Sequence, residues 1–291
     1  MNDDAIGTRR SVPELIDDLR RMGVGDGDLV MVHASMRAIG PVDDGADGVL
    51  DAIAGCIGPD GTILMTLGAR DDWGWVNERP ERERAELLRG SPPFDASTTP
   101  ADPDVGVLAE VFRTRPGTVV SDHPEGRFGA SGTLAHRLVA DVPWDHYYGP
   151  GSPLERLVDA GGRILRLGAD LDTLTVLHHA EYLVELPEKR QVRRHRVVIG
   201  ADGPVVRAVE CLDDSDGIVD HPDGDYFPMI LTEYLGAGRA LATGRVGAAT
   251  CELIDAADVV AFGVDWMSRH LVDHLMKSSS SGEQRDVSNQ S

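Results

Sequence analysis

Short apolar runs that recur between stretches of helical periodicity constrain this chain more than any other feature. Runs at 29–33 (LVMVH), 61–66 (GTILMT) and 162–168 (GRILRLG) are bounded by glycine or aspartate and read as buried strands. Helix signals lie between and after them. Ser11 is placed as an N-cap, with Pro13 in the first turn and Glu14 at capping-box spacing; Leu15, Leu19 and Met22 then follow at helical intervals. Further helices are expected at 45–57, 106–114, 134–139, 173–184 and 226–235, with a strand at 119–120 and a small-residue segment at 128–132. A hairpin turning at Asp202-Gly203 joins 194–199 to 205–211, and suggests that the sheet is mixed. The alternation predicts an α/β layer sandwich. Residues 70–99 differ in texture: Asp71-Asp72-Trp73-Gly74-Trp75, a charged helical run at 78–89 and a Pro-Pro-Phe turn read as an insertion or lid. Residues 253–274 are expected to hold one or two helices around a strand-like 259–262, and 278–291 a disordered polar tail, leaving one domain at 1–277.

Charge narrows the partners. Lys and Arg total 28 and Asp and Glu 49, a formal net charge of −21. Such a surface repels nucleic acid and anionic membranes and attracts polycations; ordinary solubility is the plainer account of the same number. Three widely spaced cysteines, Cys56, Cys211 and Cys251, fit neither a disulfide framework nor a cysteine zinc site. The first residues have no basic-then-apolar leader, and no run reaches the roughly 20 apolar residues of a membrane helix, so a cytoplasmic protein is expected. The phosphate-binding G-x-x-x-x-G-K-[ST], the zinc motif H-E-x-x-H and the nucleophile elbow G-x-S-x-G are missing, and the histidines show no convincing metal spacing.

Four segments hold candidate chemistry. His178, Glu181 and Tyr182 share a helical face just beyond a strand end, where open α/β sheets bind ligands. A general base needs a histidine with a partner that fixes its tautomer, but a structural hydrogen-bonding histidine has the same spacing. The turn His33-Ala34-Ser35-Met36-Arg37 offers backbone N–H groups, a hydroxyl and a guanidinium to a phosphate or pantetheine; a plain helix cap by Ser35 is the alternative. Ser121-Asp122-His123-Pro124 offers a hydroxyl and an imidazole, or is simply a polar turn. Carboxylates crowd at Asp213, Asp214 and Asp216, then at Asp220, Asp223 and Asp225, out of register for a calcium loop.

Taken in order, VMVHASMRAIGP (30–41), PPFD (92–95), PGT with S-x-HP (116–124), GSPL (151–154), LGADLDTLTVLHHAE (167–181), P-x-KR (187–190), VGAA (246–249) and AFGVDW (261–266) resemble the aminoglycoside 3-N-acetyltransferase family, over roughly residues 10–270. The resemblance implies a three-layer α/β/α sandwich with a mixed sheet, distinct from the common acetyltransferase fold with a pyrophosphate loop. It implies acetyl-CoA as co-substrate, no metal, a cationic aminoglycoside as acceptor, and a bacterial, cytoplasmic monomer or homodimer. His178 is then the catalytic base, with Asp213 orienting it or binding substrate amines, and with Thr175 or a backbone N–H stabilising the oxyanion. CoA contacts fall on His33, Ala34, Ser35, Met36, Arg37, Ser121, His123 and Phe128; Ala34 replaces a family serine, so Ser35 must serve alone. Asp71, Asp72, Glu78, Asp95, Glu181, Asp213 and Asp216 are the expected acidic rim. Acetylation of another amino sugar, or non-catalytic binding of cationic drugs, would use the same surface.

Overall fold

The computed structural model describes residues 8–222 and 224–286. α1 (Val12–Arg21) begins as its cap predicts: the Glu14 carboxylate accepts from the Ser11 backbone N–H at 2.8 Å and from its hydroxyl at 2.9 Å. β1 (Leu29–Ala34), the short α2 (Met36–Ile39), α3 (Gly45–Ile57) and β2 (Thr62–Thr66) follow. The insertion holds α4 (Glu81–Leu87) between single turns of 3-10 helix, after which come α5 (Val107–Thr114), β3 (Val119–Val120), β4 (Phe128–Gly132), α6 (Ala135–Val139), α7 (Pro153–Asp159) and β5 (Arg163–Leu167). The rest is α8 (Leu177–Leu183), the hairpin β6 (Gln191–Gly200) and β7 (Gly203–Leu212), α9 (Phe227–Gly236), β8 (Ala242–Val246), β9 (Ala249–Asp255) and α10 (Ala256–Asp286).

Seven strands form one mixed sheet in the order β3-β4-β2-β1-β5-β9-β8. β1 is parallel to β2 and β5, and every other pairing is antiparallel. Alternate residues of each strand feed two cores. Val30, Val32, Ile63, Met65 and Leu165 pack under α1, α3 and α5; Met31, Leu64, Ile164 and Ile254 pack under α6 to α10. This is the three-layer sandwich expected.

Several local expectations are corrected. The mixed character does not come from the 194–211 hairpin, which is a separate two-stranded sheet. It comes from β4 and β9, which run against β2 and β5; neither these nor β8 is among the expected strands: β4 is small-residue, with Gly129 tight against Leu67, and β9 is hidden by its continuity with α10. Residues 259–262 are helical, within α10. That helix continues to Asp286 through part of the expected tail, and 287–291 lie outside the described residues, as does Asp223. The 173–184 helix is shorter than its periodicity, starting only at Leu177, so Thr175 lies in the connection before α8.

The insertion packs on the hairpin. Phe94 N–H donates to Val197 O at 2.8 Å, Asn77 Oδ1 accepts from His195 N–H at 2.7 Å, and Val76 and Leu88 bury Val197 between them. Asp71, Gly74 and Asn77 of the insertion and Arg194 and Arg196 of the hairpin line one hollow with Thr66, the last residue of β2.

Candidate functional site

Two hollows meet where β1 and β2 end. A groove of about 580 Å³ is lined by His33 to Arg37, Met65, Thr66, Asp104 to Val107, Ala169, Asp170, Thr173 and Thr175. Gly168, at φ +67°, turns the chain after β5 so closely that a Cβ there would lie 2.6 Å from the Ala38 Cβ. The turn is held from below by buried Arg166, whose Nη2 donates to Ala169 O at 2.6 Å and Asp170 O at 2.9 Å. Ser35 also caps α2, accepting from Ala38 N–H at 3.3 Å, so the plain cap and the groove-lining role coincide.

The second hollow, about 380 Å³, is an acidic chamber under the insertion and hairpin. Asp71, Asp102, Asp104, Glu125, Tyr147, Tyr148, His178, Arg194, Arg196 and Asp214 are among its lining residues. Thr66, Asp104 and Val105 line both hollows, so groove and chamber are continuous.

His178 reaches the chamber from α8. Its ring lies flat on Tyr148, centroids 5.0 Å apart and planes within 8°, with Phe227 tilted against it at 4.8 Å. Nδ1 lies 2.8 Å from Glu181 Oε2, one helical turn on; the Glu181 side chain is 2% exposed and that of His178 18%. A carboxylate only accepts, so Nδ1 carries the hydrogen and Nε2 remains the free base. The other oxygen of Glu181 accepts from the Tyr226 hydroxyl, which itself accepts from Ile218 N–H at 3.2 Å. Burial works to lower the His178 pKa. The hydrogen bond to Glu181 and the charges of Glu181, Asp214 and Asp225 outweigh it and raise it above the ordinary histidine value.

Paired charges furnish the chamber. Asp214 accepts from the Tyr147 hydroxyl at 2.6 Å and from Arg194 Nη2 at 2.5 Å. Burial opposes its ionisation, but Arg194 and His178 hold its pKa below the usual carboxylate range. Arg196 pairs with Asp71, and with Glu125 at 2.8 Å. Burial nevertheless pushes the Glu125 carboxyl up. Asp102 and Asp104 also line the chamber and, among the described residues, form no salt bridge; Asp102 Oδ1 accepts from Asp104 N–H at 3.0 Å.

Several expected roles move. Glu181 is no rim carboxylate: it is buried and holds the His178 ring. Asp213 does not orient His178; its Oδ1 accepts from Ser215 and Asp216 N–H, both at 3.1 Å, and it sits 3.5 Å from Arg190, closing its own turn. Asp216 lines a neighbouring hollow with Asp220 and Asp225 that shares only Ser215 with the chamber. Asp72, paired with Arg70, lines a hollow behind the Asp71–Arg196 pair, Glu78 is exposed and lines neither hollow, and Asp95 caps its own turn at Ser97 and Thr98. Thr175 lines the groove but not the chamber.

The second expected CoA stretch is structural. Ser121 Oγ accepts from Phe128 N–H at 2.9 Å, and Phe128 is fully buried beneath Tyr148. His123 Nδ1 accepts from Glu125 and Gly126 N–H at 3.1 and 2.8 Å while Nε2–H donates to Trp144 O at 2.9 Å. Burial takes its pKa down to about 4, so it stays neutral. Tyr182 turns from His178 to accept from Leu212 N–H.

Missed residues came from distant segments. Arg194 and Arg196 alternate on one strand face, a period-two signal visible in the sequence. Nothing local marks Glu125, Asp102 or Asp104.

An imidazole held by a buried carboxylate, lining an acidic chamber that opens onto a groove at the strand ends of a mixed sheet, is a site of the kind α/β enzymes carry. The sequence profile of the aminoglycoside 3-N-acetyltransferase family matches residues 31–268. Aminoglycoside N(3)-acetyltransferase VIII of Streptomyces fradiae is 43% identical over 262 residues, covering 88% of this chain and 91% of the relative. The solved structure described as AAC-IIIb binary with CoASH superposes with a TM-score of 0.84 at 39% identity, covering 90% of this chain and 97% of that one. A sisomicin-bound AAC-VIa structure gives 0.84 at 37%, covering 90% and 99%. The chain belongs to the aminoglycoside 3-N-acetyltransferase family. Among the described residues, no cluster of three or more His, Cys, Asp or Glu could hold a metal, and no helix is long and apolar enough to cross a membrane.

Proposed function

We propose that this enzyme transfers the acetyl group of acetyl-CoA to the 3-amino group of an aminoglycoside, with His178 as general base, and that this confers resistance to the antibiotic. The observation that carries this reading is the His178–Glu181 pair at a chamber continuous with the groove. The family relationship supports the donor and acceptor. One of the two neighbours is bound to CoASH and the other to sisomicin, ligands of the chemistry that groove and chamber suit.

The donor lies along His33 to Arg37 with its thioester end toward Thr66. The acceptor's ammonium groups meet Asp102, Asp104 and Asp214. Neutral His178 Nε2 takes the proton from the attacking amine; the imidazolium so formed is stabilised by Glu181 at Nδ1. General-base assistance of this kind is worth about 10²–10⁴-fold, and positioning two substrates in contiguous hollows supplies much of the remainder.

The test is release of free CoA thiol from acetyl-CoA with gentamicin, with apramycin and with no acceptor. Release that depends on the antibiotic and disappears in His178→Ala, with CoA binding retained, is expected. Near-normal turnover in that variant would overturn the assignment of the base; no release with any aminoglycoside would overturn the acceptor.

A further inference from the structure

One polar row crosses the sheet beside the groove. Met31, Leu64, Ile164 and Ile254 form an apolar row on the face that carries α8. The next residues on that face are His33, Thr66, Arg166 and Glu252, with His33 aligned to Arg166 and Arg166 to Glu252. Arg166 and Glu252 satisfy each other at 2.8 Å. The other two do not: Thr66 Oγ1 and His33 Nε2 are buried polar atoms without a hydrogen-bond partner among the described residues. Leaving a buried hydroxyl unpaired costs free energy, so such an atom invites a function.

Position selects Thr66 as the one that acts on the reaction. It lines the groove together with Ser35 and Thr175, and the chamber together with His178. Thr175, the hydroxyl first expected at the oxyanion, lies only in the groove and has Thr173 O at 3.5 Å. We propose that the Thr66 hydroxyl donates a hydrogen bond to the acyl carbonyl oxygen during transfer and stabilises it as it gains charge. The proposal rests on the acetyl-transfer reading above.

The amine lone pair forms the C–N bond, and the carbonyl π pair moves onto the oxygen held by Thr66. The amine proton passes to His178 Nε2. The oxygen pair then re-forms the carbonyl, the C–S bond breaks, and the thiolate takes the proton back from the imidazolium. Thr66 keeps its own proton throughout.

Thr66→Val keeps the shape and removes the donor; Thr66→Ser keeps the donor. The valine variant is expected to lose about 100-fold in kcat, the scale of one lost oxyanion donor. Its affinity for CoASH, which has no acyl carbonyl, should stay within about twofold of wild type, and Thr66→Ser should recover most of the rate. A valine variant within about threefold of wild-type kcat, or one whose rate loss is matched by lost CoASH affinity, would overturn the proposal. Thr66→Ala carries the same test if the valine variant does not fold. Wild type and His178→Ala run in parallel separate the two failures. A wild type with no antibiotic-dependent thiol release sinks the transfer reading, and this inference with it; an active wild type with an equally active Thr66→Val sinks this inference alone.

Discussion

Glu181→Gln should cripple the enzyme for a reason that a second substitution can reverse. In the native site Glu181 stands between two donors, His178 Nδ1–H and the Tyr226 hydroxyl. Tyr226 already accepts from Ile218 N–H, so its own hydrogen must go to residue 181. A glutamine there has one oxygen and one NH₂. Tyr226 claims the oxygen, so the NH₂ turns to His178 and demands that Nδ1 accept. The hydrogen then moves to Nε2, and the base facing the chamber is lost. The charge is lost as well: at a separation of about 4 Å and an effective dielectric of about 20, carboxylate and imidazolium attract by about 4 kcal/mol. With half of that surviving desolvation, the barrier rises by about 2–4 kcal/mol, or roughly 30- to 1000-fold in rate. Steady-state thiol release with gentamicin measures it. The decisive comparison is Glu181→Gln with Tyr226→Phe. Without the hydroxyl, the amide is free to turn its oxygen toward Nδ1, and the double variant should be several-fold faster than the single one. A Glu181→Gln enzyme within about threefold of wild-type kcat, or a double variant no faster than Glu181→Gln, would refute the reasoning.

Three further outcomes are expected. Because the His178 pKa is raised in the native site, and only the neutral ring accepts a proton, kcat/KM should climb with pH through a value above the ordinary histidine figure of about 6.5; a limb at or below that figure contradicts the pairing with Glu181. Asp214→Asn should raise KM for the antibiotic by about tenfold, one lost charge contact, while the Kd for CoASH holds; an unchanged KM would place the ammonium groups elsewhere. His123→Leu should cost about 2–4 kcal/mol of stability, seen as a lower Tm, because two N–H groups and a carbonyl lose their partner, yet leave CoASH affinity intact; weakened CoASH binding at unchanged Tm would restore His123 to the groove.

Features fixed by neighbouring residues show in the sequence, and features fixed by distant ones do not. The capping box of α1, the apolar strands β1, β2 and β5 and the Asp-Gly hairpin depend on near neighbours in the chain, and were legible. β4 and β9 were not. A strand of Phe-Gly-Ala-Ser-Gly carries little intrinsic preference, and it pairs because β2 and β3 offer it a place between them. His178 and Glu181 were legible as a pair through helical spacing. What the spacing could not say was that Glu181 faces inward onto Tyr226, 45 residues on.

The sequence by itself determined the layered α/β frame, the turn His33 to Arg37 at a strand end and the acidic balance that suits a cationic acceptor, since periodicity, caps and charge are written in consecutive residues. Only the tertiary structure decided which carboxylates face the chamber. Asp213 and Asp214 are adjacent, yet one closes its own turn and the other looks into the site beside Arg194. Ser121 and His123 carry groups a cofactor could use, yet backbone N–H and C=O groups engage them first. A side chain's role depends on which partners reach it first, and those partners are brought by strands and loops far away in the chain.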